Sequence, residues 1–304
     1  MDDEITTTTT DKPVIDRKGI FSFLIITFVI TYGIEGALLL SGISPMVKGL
    51  GQYIVAMVMW VPALSTVLTI RFVTHEGFGI TKIRFGEWRP YIKVGMVIPA
   101  CFIIIYGLTW LLGLGQPDWT VNYFKNQFVT AGVKVPAIPS PFVIWPLLFL
   151  VSLFVAPFVN SLFAFGEELG WRGYLLPKLM PLGKPRAYLL SGIIWGLWHL
   201  PLVLAGFMYP GYPVLGMLMF IILTTVLSIY INELTLRHQS SVLAGWIHGV
   251  FNTQRLGLWV LLFPKTNPLI GGCTGILGIG IWLILGIWES RSRTRLPVSS
   301  DGEK

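Results

Sequence analysis

Glu167, Glu168 and Arg172 fall within FGEELGWRGYLLP, residues 165–177, at the end of a long apolar run. On a helix Glu168 and Arg172 are four apart and share a face, so they can pair, while Glu167 projects about 100° away. Ionised side chains at membrane depth cost up to roughly 3 kcal/mol each by insertion scales, so three so close together demand compensation. The simplest assignment has one carboxylate held by the arginine and one left for chemistry. Two histidines lie in further apolar runs: His199 in SGIIWGLWHLP, with Trp195 four residues before it, and His248 in AGWIHGVFN, with Asn252 four after it.

A neutral imidazole and a carboxamide on one helix face can both donate hydrogen bonds, as an oxyanion hole requires. A carboxylate beside a histidine can take a proton from water. The set therefore reads as general-base hydrolysis, with Glu167 and His199 activating water and His248 with Asn252 stabilising the tetrahedral oxyanion. The same Glu and His residues could instead hold a divalent metal such as zinc that acidifies the water, and the sequence does not choose. It contains no GxSxG elbow and no HExxH, which removes the commonest serine-hydrolase and zincin patterns. A lone histidine in an apolar helix is more often a packed residue bonded to a neighbouring hydroxyl or carbonyl. Six polar residues on three apolar runs point to a shared site, because polar groups in lipid must find one another. Glu35, alone near a segment end, Asn160, Asn232 and Arg255 read as weaker candidates whose roles are structural.

The elements that position these residues follow from composition. With 54% hydrophobic residues, 12% charged and a mean hydropathy of +0.71, the chain reads as an all-α polytopic transmembrane bundle. Eight apolar runs are expected to span: 20–40, 52–72, 92–112, 142 to the Glu pair, 187–205, 214–232, 242–263 and 269–288. Residues 1–19 read as a disordered tail and 20–141 as N-terminal transmembrane helices and loops. The catalytic core is then 142–288, and 289–304 a basic tail. The net charge of +7 is carried by short segments between apolar runs, which argues for cytoplasmic loops and against nucleic acid as a partner. Threading the spans from an inside N-terminus leaves four cations outside, Lys48, Lys125, Lys134 and Lys265, with Arg255 in a span and the remaining 17 of 22 inside. That imbalance gives an N-in, C-in topology. Cys101 and Cys273 lie in separate apolar runs and read as small buried residues.

The order Glu167-Glu168-x-x-x-Arg172, then an aromatic-x-x-x-His199, then His248-x-x-x-Asn252 resembles the type II CAAX prenyl endopeptidases. It resembles as well the broader CPBP family of intramembrane proteases, which includes abortive-infection and bacteriocin-immunity members. The likeness covers residues 166–252, including Trp171-Arg172-Gly173 and His199-Leu200-Pro201. It implies an eight-helix fold and an endopeptidase acting near the C-terminus of a membrane-associated substrate, prenylated in the eukaryotic case. It also implies Glu167 as the activator of water, Glu168 and Arg172 as its tuning neighbours, His199 as co-activator, and His248 and Asn252 as oxyanion donors. Trp195 stands where the family usually has phenylalanine, which implies a reshaped pocket wall. For Glu167 and His199 to meet, the fourth span is expected to continue as helix through Arg172 within a cavity open to the cytoplasm. Two other readings of the same residues are a proton-coupled transporter, since intramembrane Glu, His and Arg chains make proton relays, and a non-catalytic membrane immunity or scaffold protein.

Overall fold

The computed structural model describes residues 14–45, 49–130 and 139–292. Most of the expected N-terminal tail and all of 293–304 lie outside the described residues. The tail ends earlier than expected: helix α1, Arg17–Leu40, opens where Asp16 Oδ1 accepts the Gly19 N–H at 2.8 Å, satisfying one of the four free N–H groups of a helix start. The expected second span is broken into α2, Leu50–Val58, and α3, Val61–Thr69, the latter running into a π-helical turn, Ile70–Thr74. Then come α4, Arg89–Leu111, the short α5, Asn122–Thr130, and α6, Pro141–Phe154.

The Glu pair does not sit at the end of a span, as a continuous run from residue 142 would have placed it. Pro157 lacks the N–H that would continue α6, and the chain bends by 44° before α7, Ala156–Glu168. From there the helix carries on through π-helical Leu169–Leu175 into α8, Leu176–Leu179, and on to Leu182. Glu167 is thus near the middle of its segment, with helix continuing past Arg172.

Helix α9, Lys184–Trp198, is separated from α10, Leu200–Leu204, by His199, because Pro201 cannot continue the ladder. Helix α11 spans Pro213–His238 and α12 spans Ser241–Leu256, capped by Ser240 Oγ on the Leu243 N–H at 3.0 Å; α13, Leu258–Leu262, and α14, Ile276–Ser292, follow. Among the described residues, α1, the α2–α3 segment, α4 and α11 are each long and apolar enough to cross a membrane, with the bent α6–α8 stretch a fifth if it is one span, against the eight spans expected. All described regular structure is helical, and the protein is a membrane protein.

Ion pairs tie one end of the bundle together. Lys178 bridges Asp16 and Glu76 at 2.7 and 2.6 Å, Lys184 pairs with Glu233 and Arg237 with Glu289, Lys93 reaches Glu289 at 2.8 Å, and Arg84 Nε donates to Gln239 O at 2.7 Å. At the other end the turns meet through Asp118 N–H on Leu262 O and Tyr209 O–H on Thr274 O.

Two close approaches position the functional helices. A Cβ on Gly249 would stand 2.5 Å from Ser161 Cα of α7, and one on Gly196 would stand 2.7 Å from Thr224 Oγ1 of α11. Gly245-x-x-x-Gly249 and Gly192-x-x-x-Gly196 are the small-residue stripes by which membrane helices pack without an aqueous driving force. Each stripe carries a site residue beside it, His248 on α12 and Trp195 on α9.

Candidate active site

The carboxylate pair divides as the spacing predicts. Glu168, fully buried, receives Arg172 Nη1 on both oxygens at 2.9 Å. The remaining donors of Arg172 are also used: Nε on Asn232 Oδ1 at 3.1 Å and Nη2 on Ser228 Oγ at 2.8 Å. Asn232 in turn donates to Ser191 Oγ at 3.1 Å. The guanidinium lies 4.5 Å from the centroid of the Trp195 ring, a cation–π contact in a dry setting. A buried charge pair is best tolerated when its remaining lone pairs and protons are satisfied, and this network across α7, its π-helical extension, α9 and α11 gives all three guanidinium nitrogens and both Glu168 oxygens a partner.

Glu167 points elsewhere. It is 2% exposed, and its Oε2 accepts the indole N–H of Trp195 at 2.9 Å. Trp195 therefore does more than wall a pocket: it holds the proposed base, stacks on the arginine of the neighbouring pair and meets the His248 ring edge-on at 5.3 Å. Its aromatic type was legible in the sequence; that its N–H faces Glu167, 28 residues earlier, was not.

The two imidazoles are held in different ways. His199 Nδ1 lies 3.0 Å from Trp195 O; a carbonyl only accepts, so Nδ1 carries the proton and Nε2 is a free lone pair. The ring is boxed by Trp198 at 4.7 Å and Phe220 at 4.8 Å. His248 Nδ1 lies 2.9 Å from Glu168 Oε1, so Nδ1 donates there too, but to a carboxylate. This changes the neutral-donor reading: with Nδ1–H committed to Glu168, Nε2 can donate to an oxyanion only when the ring is the imidazolium.

Glu167, His199, His248 and Asn252 line one cavity of about 420 Å³, large enough for several waters or a short stretch of peptide. Glu168 and Arg172 stand behind its wall and do not line it. Two residues set aside in the sequence also face the cavity: Asn160 of α7, and Glu35 of α1, which is 1% exposed. Neither has a motif around it. A single glutamate 132 residues from Glu167 gives no signal until α1 is packed against the core.

The cavity's outer walls include Pro45, Gln52, Phe207, Met208 and Leu256. These lie after α1, at the start of α2, after α10 and at the end of α12, which is the end of the bundle opposite the cluster of ion pairs. The cavity thus reaches away from the cation-rich end, whereas the sequence reading had it open toward that end.

Among the described residues no three His, Cys, Asp or Glu side chains are grouped so as to hold a metal ion. Glu168 is committed to Arg172 and His248, and the ligands left toward the cavity do not make a set.

Residues 142–254 match a family model described as type II CAAX prenyl endopeptidase Rce1-like. A CAAX prenyl protease 2 from Methanococcus maripaludis is 29% identical over 108 residues, covering 27% of this chain and 40% of the relative; the match therefore spans well under half of that relative's length. The chain is thus similar to the type II CAAX prenyl endopeptidases through the segment, α6 to α12, that carries Glu167, His199, His248 and Asn252.

Proposed function

We propose that the chain is an intramembrane endopeptidase whose base is Glu167. The observation that carries this reading is the meeting of Glu167 of α7, His199 between α9 and α10, and His248 and Asn252 of α12 on one cavity inside an apolar bundle. Water held between the Glu167 carboxylate and the His199 Nε2 lone pair loses a proton to Glu167 as its oxygen attacks the scissile carbonyl. The carbonyl π pair moves onto oxygen, where the His248 imidazolium Nε2–H and the Asn252 carboxamide N–H stabilise it. When the tetrahedral species collapses, the proton held by Glu167 goes to the departing amine. The carboxylic acid and the amine are then the only products, and Glu167 is again ionised.

Charge balance supports the imidazolium. With Glu167 and Glu168 ionised and Arg172 and His248 cationic, the cluster is neutral, the condition under which buried charge is least costly. The substrate is a membrane-associated peptide or protein, lipidated in the CAAX reading, cut near its C-terminus; apolar walls such as Phe163, Leu223 and Leu227 suit such a chain. Placing the cation-rich end in the cytoplasm puts the cavity mouth toward the outer face, which replaces a cytoplasmic opening as the orientation we propose.

The test is hydrolysis of a fluorogenic peptide by detergent-purified protein. Glu167→Gln and His248→Ala are expected to lower kcat/KM by about 10²–10⁴-fold, the usual scale of general acid–base and oxyanion contributions, with the folded state retained. Unchanged turnover in both variants removes the reading.

A further inference from the structure

Glu35 has no place in the mechanism above, yet it is built into the same cavity. It sits on α1, outside the segment that matches the family model. It is 1% exposed, lines the cavity with Glu167, and its Oε2 has no hydrogen-bond partner. No described lysine or arginine forms an ion pair with it, in contrast to Glu76, Glu168, Glu233 and Glu289, each of which is paired. The titratable groups lining the cavity are Glu35, Glu167, His199 and His248, with no lysine or arginine among them.

A carboxylate left unpaired at membrane depth is expensive, and such residues mark ligand counter-ions and pathways. Every other acidic group buried in this bundle has a use: Glu168 holds Arg172 and His248, Glu233 and Glu289 close the cation-rich end, and Glu167 faces the reacting atoms in the proposed mechanism. Its place on the cavity lets what enters there supply the partner that Glu35 lacks. Glu35 lies outside the neutral cluster of Glu167, Glu168, Arg172 and His248, so its own carboxylate is the charge a partner would meet, and a cation is its complement.

We propose that Glu35 is a specificity subsite that takes the ammonium or guanidinium of a basic substrate side chain. The side chain's methylenes lie along the apolar wall, as lysine and arginine stems do when only the head is charged, and the head pairs with the Glu35 carboxylate. This rests on the endopeptidase reading for its turnover but not for its binding.

The experiment uses the full chain in detergent and a set of peptides in which one lysine is walked along an otherwise neutral sequence, each matched by its norleucine counterpart. At one position lysine is expected to raise kcat/KM at least tenfold over norleucine, chiefly through KM. Glu35→Gln is expected to bring that ratio to near one, Glu35→Asp to keep most of it, and Glu35→Lys to reverse it toward a peptide with glutamate at that position. No preference at any position, a preference that survives Glu35→Gln, or equal loss on both peptides of a pair overturns the subsite; equal loss assigns Glu35 to proton handling or to the fold. If the wild-type chain cleaves none of the peptides, fluorescence anisotropy of the labelled lysine and norleucine peptides decides. Lysine-dependent binding abolished by Glu35→Gln keeps the subsite while removing the endopeptidase reading, and charge-independent binding or none removes the subsite.

Discussion

Arg172→Met is the perturbation whose consequences the structure sets out most fully. It removes the donors that Glu168, Asn232 and Ser228 receive and the cation over Trp195, while keeping a side chain of comparable length. Removing one partner of a buried pair costs about 3–5 kcal/mol, and Glu168 is then left with His248 alone. The orphaned Asn232 and Ser228 acceptors would add about 1 kcal/mol each if they could not turn to new donors. Taking about 4 kcal/mol as the net effect, and about 2 °C per kcal/mol for a chain of this size, the apparent unfolding temperature should fall by roughly 8 °C. The assay is intrinsic tryptophan fluorescence at one scan rate in one detergent, since unfolding of such a protein is read as a rate-dependent transition. Glu168→Gln alone should also destabilise, by leaving Arg172 buried with a weaker acceptor. The double variant Glu168→Gln/Arg172→Met removes both charges, so its loss should be smaller than the sum of the two singles by about 2–3 kcal/mol, the coupling expected of residues in one network. Additive losses, or a single-variant shift within 2 °C, would refute the claim that this pair is dry and mutually dependent.

Three further outcomes are expected. Gly249→Ala places a methyl within 2.5 Å of Ser161 Cα; overpacking of this kind costs about 1–3 kcal/mol, so α7 and α12 should separate and both unfolding temperature and turnover should drop, with Ser161→Gly in the same chain restoring part of each. In a variant lacking Cys101 and Cys273, cysteines at Gln52 and Lys184 should react with a membrane-impermeant maleimide from opposite sides of sealed vesicles, the Gln52 site from the outside of intact cells; labelling of both from one side refutes the proposed orientation. Burial pushes the Asp16 carboxyl up, but the Lys178 ammonium and the Gly19 N–H outweigh this and hold it below its ordinary value of 3.8. Its stabilising contribution is therefore present above that value and lost as pH falls through the lower folded one, so the acid side of the unfolding-temperature profile below about pH 4 should be shallower in Asp16→Asn; identical profiles would show that the contact carries no linkage.

Much of the site was written into residue types and local spacing. The four-residue separation of Glu168 from Arg172 fixes a common face on any helix, and the apolar surroundings of His199, His248 and Asn252 mark them because membrane interiors do not carry polar groups idly. Helix was legible for the same reason: a backbone in lipid must satisfy its own hydrogen bonds. Local composition says nothing, however, about which way a helix is turned or how deep a residue lies. The bend before Ala156, which moves Glu167 to mid-segment, depends on how α6 and α7 pack on either side of it, and the sequence read straight through Pro157. Trp195 holds Glu167, and Glu35 reaches the cavity, only because glycine stripes let α9 and α12 close on their neighbours and α1 then covers the gap. The sequence by itself determined a helical membrane protein and which side chains are chemically competent. Tertiary packing decided which of them share a cavity, which stand behind it and at which end it lies, because contacts between residues far apart in the chain are set by the shapes of whole helix faces and not by any local pattern.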